Sequence, residues 1–245
     1  MFELMSDVLK QIDQNINFFH CKLLDVGCGN GNNIKGLLDK GVDAYGIDVE
    51  FKSGKYLEEL IASSRIRKIG DESISRETKK FKDMNWPFGD GFFDLVISKA
   101  VVEHINDLDN FAYNSKKVSK KGSLHVHYFA SKFALKEPHT GVIFGGVIKY
   151  RWYYRLHFLL KLMPKYFLEN PDKAYNFVKD HTFYRTTSEI KSMFKKNGFV
   201  YQGDFGKIVL RSKLGIPIKI LHYFPIIGLF FSIFRSKLLV FKNDA

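Results

Sequence analysis

The stretch that decides the fold is Leu23-Leu24-Asp25-Val26-Gly27-Cys28-Gly29-Asn30-Gly31. The apolar residues before Gly27 predict a short buried strand, and the residues that follow Gly31 predict a helix. Three glycines at alternate positions allow a tight turn and let a ligand approach the backbone closely. The amide groups at the start of the helix then face an anionic or polar group of that ligand.

The rest of the chain repeats this rhythm of strand and helix. Strands are predicted at 22–27, 42–48, 65–69, 93–98, 123–129, 199–211 and 236–242, and helices at 3–18, 32–40, 52–64, 106–119 and 187–197, with a turn at Lys121 and Gly122. Alternation with short connections predicts a parallel sheet wound on both faces. We therefore predict an α/β fold, a Rossmann-like doubly wound sheet of about seven strands, with residues 1–245 as a single domain.

The glycine loop also indicates which kind of ligand binds there. A dinucleotide fingerprint would need a glycine at position 32, which is Asn32, so that pattern fails. The loop preceded by Asp25 instead resembles the first motif of class I S-adenosylmethionine-dependent methyltransferases of the type 11-like kind. Further family-like motifs follow in order at Asp48, at 83–88 (DMNWPF, with Trp86 in place of the family's leucine), at 93–98 (FDLVIS) and at 102–104 (VEH).

This resemblance covers about residues 22–130 and implies S-adenosylmethionine as the cofactor and an antiparallel last strand. It also implies a role for each matching residue. The glycines line the methionine end with Asp25 near the amino group, Asp48 holds the ribose, Val49 packs on the adenine, Asp83 accepts from the adenine amino group and the Met84 amide meets a ring nitrogen. The cofactor site predicted in this way comprises Asp25, Gly27, Cys28, Gly29, Gly31, Asp48, Val49, Asp83, Met84 and Ser98.

Three histidines are candidates for a general base. Removal of a proton from a hydroxyl or amine acceptor suits histidine near neutral pH. His104 follows the fourth strand at the ligand-binding edge, His139 lies just past the fifth strand, and His181 lies at the exit of an aromatic region. His125 and His127 share one face of a strand, which is more typical of packing. No histidine pair has metal-ligand spacing, so no metal is expected.

The charge of +12 is divided unevenly along the chain. Residues 1–110 carry a net −5 and residues 111–245 a net +17. This asymmetry favours an anionic partner, either a membrane surface or a nucleic acid, although a basic solvated surface would give the same numbers.

Two segments of the basic half stand apart from the sheet pattern. Residues 131–185 predict a helical, aromatic and basic insertion or lid, whose stretch 149–167 suits either stacking on bases or a membrane interface. Residues 213–235 are apolar, but their uncharged part, 220–234, is too short to span a bilayer. We interpret this segment as membrane-interfacial, with a helix packed on its own domain as the alternative.

Together these features predict a methyltransferase that acts on a small or lipid-linked acceptor, such as a sugar or an isoprenoid-type compound. The alternatives are an RNA methyltransferase and a non-catalytic adaptor that binds S-adenosylmethionine. The two cysteines lie too far apart along a strand for a bridge, and the first residues show no secretory pattern. We therefore expect a cytoplasmic protein with peripheral contact at the inner membrane face, and nucleic acid as the less favoured partner.

Overall fold

The computed structural model describes residues 2–12, 17–70, 85–162, 170–206, 208 and 236–244. Its centre is a seven-stranded sheet in the order β3-β2-β1-β4-β5-β7-β6. The strands are β1 (Lys22–Val26), β2 (Asp43–Asp48), β3 (Ile66–Lys68), β4 (Phe93–Lys99), β5 (Ser119–Phe129), β6 (Phe199–Asp204) and β7 (Lys237–Asn243). Strands β1 to β5 run parallel, and β7 is antiparallel to both of its neighbours. The predicted doubly wound fold and its antiparallel last strand are confirmed.

Helices cover both faces of this sheet. They are α1 (Phe2–Ile12), α2 (Asn32–Leu38), α3 (Leu57–Ala62), α4 (Leu108–Val118), α5 (Arg151–Leu159), α6 (Pro171–His181) and α7 (Thr187–Lys196). Helices α1, α2 and α3 pack on one face, where alternate strand residues such as Leu23 and Leu95 are buried. Helices α4 and α7 pack on the other face against residues such as Leu24 and Val96. This alternation along each strand buries both faces of the parallel sheet.

Trp86, which stands where the resembling family has a leucine, is explained by its packing. The indole is 7% exposed and contacts the ring of Phe111 edge to face, with the ring centroids 5.6 Å apart. It therefore fills space between the sheet and helix α4. An aromatic side chain contributes a large buried area at such a position.

Four predicted boundaries are corrected by the structure. The turn predicted at Lys121 and Gly122 is wrong, because helix α4 ends at Val118 and β5 begins at once and runs through both residues. The register of β5 against β4 shifts between Phe93 and Leu95, which accommodates the added length as a bulge-like irregularity. Strand β6 ends at Asp204 rather than at 211, and α3 is shorter than predicted. Residue 18, predicted as the end of α1, instead begins a short 3-10 helix (Phe18–His20).

The residues between β5 and α7 form a separate small core. Helices α5 and α6 pack against each other there around Tyr154, Ala174 and Val178, and Val142 and Tyr184 complete the cluster. The hydroxyl of Tyr154 donates to the carbonyl of Gly145 at 2.8 Å. Helix α6 is capped by Asn170, whose side chain accepts from the amides of Asp172 and Lys173. These residues correspond to the aromatic insertion proposed from the sequence, whereas the segment 213–235 lies outside the described residues.

Candidate active site at the carboxyl edge of the sheet

The glycine loop joins β1 to α2 and bends back toward β2. The amides of Gly27 and Cys28 both donate to the carbonyl of Ile47, at 2.7 and 3.1 Å. Gly27 has φ +79°, and a Cβ there would lie 2.3 Å from Cγ2 of Val101. Gly27 is therefore required by a close approach of the residues that follow β4.

Gly29 differs from Gly27 in its surroundings. It has φ +63°, but a Cβ there would meet nothing within 4 Å. The backbone at Gly29 therefore faces open space, as a loop that admits a ligand must. Gly31 precedes α2, where a Cβ would come within 2.6 Å of Leu60, and the buried side chain of Cys28 packs against Gly46.

Two buried carboxylates flank this open space. Oδ2 of Asp48 accepts from the amide of Gly29 at 2.8 Å, and Oδ1 accepts from the amide of Glu50 at 3.2 Å. Oδ2 of Asp25 accepts from Nδ2 of Asn33 at 2.7 Å. Burial raises the pKa of Asp25 to about 6, and the charge of Asp48 adds to that effect. A nearby cation such as an ammonium group would favour the ionised form of Asp25.

The other predicted cofactor residues divide into three groups. Val49 is 8% exposed and belongs to the core beside β2, so its predicted contact with adenine stays a prediction. Ser98 is fully buried, and its hydroxyl pairs with Nδ1 of His127 at 2.8 Å, so the structure does not bring it into the open space beside Gly29. Asp83 and Met84 lie outside the described residues.

The chain beyond β4 connects the glycine loop to the candidate bases. Ala100 has φ +54°, an uncommon value for a residue with a side chain, and such strained residues are frequent at functional sites. Val101 packs over Gly27, and its carbonyl accepts from the amide of His104 at 2.8 Å. The turn that carries His104 is thus held directly beside the loop.

The structure brings the three candidate histidines together. The rings of His104 and His139 meet edge to face, with the centroids 4.9 Å apart. Nδ1 of His104 lies 2.6 Å from the carbonyl oxygen of His181 and therefore donates to it, because a carbonyl only accepts. The ring of Phe177 lies between the other two, 5.2 Å from the ring of His139 and 5.3 Å from that of His181.

A buried glutamate orients His139. Nδ1 of His139 lies 2.6 Å from Oε1 of Glu137, and the hydroxyl of Tyr184 donates to the same oxygen. Burial opposes the ionised form, but hydrogen bonds from His139, Tyr184 and Thr140 lower the pKa of Glu137 to about 2. Nδ1 therefore carries the proton, and Nε2 has the lone pair of a potential base.

The same carboxylate determines the charge behaviour of His139. Burial alone would lower the pKa of its imidazole. The hydrogen bond and charge of Glu137, with a further contribution from Glu103, outweigh that effect and raise the pKa of His139 above its ordinary value. An imidazole that gains a proton is thus stabilised here.

Sequence reasoning missed three residues of this cluster. Glu137 and Tyr184 were assigned no role, and Glu103 was considered only as part of a motif. Glu103 is 4% exposed; its Oε1 accepts from the amide of Ala130 at 3.2 Å, while Oε2 has no hydrogen-bond partner among the described residues. Burial raises its pKa. The sequence did contain one signal for this pair, which is the acidic residue Glu137 two positions before His139.

Within the described ranges no group of three or more histidine, cysteine, aspartate or glutamate residues could hold a metal ion. In the same ranges no helix is long and apolar enough to cross a membrane.

His125 and His127 are fully buried in the sheet, and burial lowers the pKa of His127 to about 3. Their placement in the core agrees with the packing role predicted from their strand positions.

The sheet order, the glycine loop and the two carboxylates define the class of S-adenosylmethionine-dependent methyltransferases with a Rossmann-like sheet. Within that class the chain belongs to a methyltransferase-domain family, whose model matches residues 1–202. Its resemblance to the class I methyltransferases is thereby confirmed.

Two curated relatives and two solved structures are similar to this chain at low sequence identity. The ubiquinone biosynthesis O-methyltransferase of Pelagibacter ubique (strain HTCC1062) is 27% identical over 54% of this chain and 50% of its own. The ajmaline N-methyltransferase of Rauvolfia serpentina is 30% identical over 43% of this chain and 36% of its own. The chain thus spans half or less of the length of these relatives.

Among the structures, an S-adenosylmethionine-dependent methyltransferase from Mesorhizobium loti has a TM-score of 0.53 at 12% identity, with 98% of this chain and 97% of that chain covered. The phosphoethanolamine N-methyltransferase 2 of Haemonchus contortus, in complex with S-adenosyl-L-methionine, has a TM-score of 0.52 at 15% identity. The match covers 98% of this chain and 51% of that chain. At these identities the likeness concerns the fold.

Proposed function

We propose that this protein transfers a methyl group from S-adenosylmethionine to a hydroxyl or amine of a small or lipid-linked acceptor, with a sugar or an isoprenoid-type compound as the expected kind. The observation that carries the proposal is the contact between two parts of the site. The side chain of Val101 approaches Gly27 of the glycine loop, and the carbonyl of Val101 accepts from the amide of His104, which belongs to the histidine cluster.

The residues around the glycine loop fit the cofactor. A Cβ at Gly29 would meet nothing within 4 Å, and Asp25 is a buried carboxylate of the kind that suits an ammonium group. We assign the ribose hydroxyls to Asp48, whose carboxylate accepts from the amide of Gly29. When bound, S-adenosylmethionine supplies an activated methyl group on its sulfonium. The protein therefore mainly supplies alignment and a site that excludes water.

We propose His139 as the general base of this site. Its Nε2 accepts the proton of the acceptor's hydroxyl or amine as the oxygen or nitrogen takes the methyl group. Glu137 is a positioning residue, because it fixes the proton on Nδ1 and stabilises the imidazolium that forms. His104, held by the carbonyl of His181, contacts the His139 ring and lines the acceptor side, with His181 at its edge.

The first test is calorimetric titration of the protein with S-adenosylmethionine and with its demethylated product, beside an Asp48→Ala variant. We expect micromolar binding that the variant loses. A folded wild-type protein that binds neither compound would contradict the cofactor assignment. Binding without transfer to any acceptor in membrane extracts would favour the adaptor, and transfer to RNA would favour the RNA methyltransferase.

We also propose that the acceptor is met at the cytoplasmic face of the membrane, with the protein in peripheral contact with anionic lipid. The net charge of +17 on residues 111–245 supports this, as does the composition of the insertion. Radiolabelled methyl transfer into the lipid fraction, compared with the water-soluble fraction of the same extract, tests the acceptor's location.

A further inference from the structure

Exposed apolar side chains are concentrated around helix α5. The described residues include thirteen exposed large hydrophobic side chains, and seven of these lie between positions 147 and 162. They are Val147, Tyr150, Trp152, Leu156, Leu159, Leu160 and Leu162. Scattered single residues of this kind are ordinary, but a contiguous group marks an interaction surface.

The members of this group that lie in α5 share one face of the helix, and the helix has a different face for its own core. Trp152, Leu156 and Leu159 are spaced by four and three residues, which places them on one side of a helix. Leu159 is 72% exposed and Trp152 is 63% exposed. Tyr154 and His157 face the opposite way and are buried. Because the helix is anchored through that second face, contact of its exposed face with a partner would leave the small core undisturbed.

The charged residues within the segment 147–162 are of one sign. Residues 147–162 contain four basic residues and no acidic residue. Lys149 is directed inward, where its Nζ donates to the carbonyl of Thr182 at 3.1 Å, and Arg155 pairs with Asp172. Arg151 and Lys161 are exposed beside the apolar face. Basic residues that flank an apolar helix face match an anionic lipid surface, with headgroups at the charges and acyl chains at the leucines.

We propose that the exposed face of α5, defined by Trp152, Leu156, Leu159 and Leu160, docks on an anionic lipid bilayer. Leucine side chains gain from an acyl environment but cannot stack on bases, so this face fits lipid better than RNA. The proposal deepens the proposed function, on which it rests for the lipid-linked acceptor, by naming the surface that meets the membrane. Lipid binding itself requires no cofactor, so the two can be tested separately.

The test is co-sedimentation of the full chain with phosphatidylcholine vesicles made with and without phosphatidylglycerol. The wild-type protein should bind the anionic vesicles, and salt should weaken that binding. The double variant Leu156→Ser/Leu159→Ser should bind at least about tenfold more weakly, because each leucine that enters the bilayer contributes its apolar area. Its thermal unfolding should stay close to that of wild type, since both side chains are exposed.

A control variant replaces two exposed apolar side chains by serine on other helices. Ile61→Ser/Tyr113→Ser also removes two exposed apolar side chains, from α3 and α4, and should bind vesicles as wild type does. Equal vesicle binding by the α5 double variant and wild type would overturn the proposal, as would the absence of wild-type binding. Transfer RNA that binds wild type and is lost in the α5 variant would instead assign the face to nucleic acid.

A titration with S-adenosylmethionine separates this result from the proposed function. The α5 double variant should keep the wild-type affinity, because its substitutions lie on the outer face of the insertion. If the wild-type protein does not bind S-adenosylmethionine, the proposed enzymatic function is contradicted, but the vesicle experiment still decides whether α5 binds lipid.

Discussion

The cofactor side and the acceptor side of the candidate site are built in different ways. On the cofactor side, between β1 and β2, the backbone determines the shape through positive φ angles and amides that donate to the carbonyl of Ile47, and one side chain, Asp48, accepts from the amide of Gly29. On the acceptor side, side chains determine the shape of the site. Glu137, His139 and Tyr184 form a hydrogen-bonded network that joins residues 47 positions apart.

This difference affects how each side can respond to substitution. A backbone-determined loop tolerates few residue types at its turning points, because a positive φ angle disfavours any side chain and the close approaches at Gly27 and Gly31 leave no room for a Cβ. A side-chain network can be rebuilt with other residues, provided that each buried polar group keeps a partner. We therefore expect cofactor recognition to be fixed in this chain and acceptor recognition to be the adaptable part.

The largest effect is expected on the acceptor side, at the proposed base. His139→Gln should lower the rate of methyl transfer by about 10³-fold, within the range typical of a lost general base, and leave the affinity for S-adenosylmethionine unchanged. Single-turnover transfer of a radiolabelled methyl group, beside calorimetry, measures both quantities. His20→Gln, on the exposed turn before β1, serves as the control. If His139→Gln lowered the affinity for S-adenosylmethionine as much as the rate of transfer, the cofactor side and the acceptor side would not be independent.

The pH dependence sharpens the same prediction. A base must be neutral to accept a proton, and Glu137 raises the pKa of His139. The wild-type rate should therefore fall as pH drops through the raised pKa of His139, at a higher pH than an ordinary histidine would give. Glu137→Gln removes the charge responsible, so its acid limb should move to lower pH. A limb that stays in place would contradict the positioning role of Glu137 even if the variant is slow.

On the cofactor side, two glycines should separate stability from binding. Gly27→Ala should lower the free energy of unfolding by about 2–3 kcal/mol, because its Cβ would collide with Val101. Gly29→Ala should cost only about 1 kcal/mol for its positive φ, yet it should abolish cofactor binding by filling the open space. Denaturant unfolding and calorimetry measure the two effects, with Gly89→Ala as the control for added methyl groups.

The same contrast explains what the sequence could and could not predict. The glycine loop, the strand ends at Asp48 and Ser98, and the alternation of strand and helix are local patterns, so the doubly wound sheet followed from them. The start of β5 did not, because Lys121 and Gly122 look like a turn in isolation. The residues of β5 that pair with β4 lie on either side of them, Ser119 against Phe93 and Leu124 against Leu95. Lys121 and Gly122 therefore form an irregularity within the strand, where Gly122 adopts φ +81°.

The histidines show a second limit of local patterns. His104, His139 and His181 could each be singled out by type and position, but nothing in the sequence placed their rings together. Their association depends on helix α6 returning to the turn after β4, where the amide of Phe183 donates to the carbonyl of Glu103 at 2.7 Å. Ser98 shows the opposite error: its position at a strand end suggested the ligand side, whereas pairing with His127 keeps it in the core.

A smaller effect is expected from the core of the insertion. Tyr154→Phe removes a buried hydroxyl and leaves the carbonyl of Gly145 without that donor, which should cost about 1–2 kcal/mol. Because the insertion has its own cluster, the loss should appear as faster hydrogen exchange in residues 142–160, with strands β1 and β4 still protected. Uniformly faster exchange would mean that the insertion and the sheet unfold as one unit.

The smallest effect concerns the charge of Asp25, which belongs to the cofactor side alone. Burial raises the pKa of Asp25 to about 6, so its carboxyl group becomes neutral as pH falls through that value and loses its attraction for an ammonium group. The dissociation constant for S-adenosylmethionine should therefore rise about fourfold between pH of about 7 and about 5.5, a range in which the ligand's amino group stays charged. Asp25→Asn cannot titrate, so its affinity should be weaker and independent of pH over the same interval. If the variant instead keeps the wild-type pH profile, the dependence arises from the histidine cluster across Val101, and the separation between the two sides is incomplete.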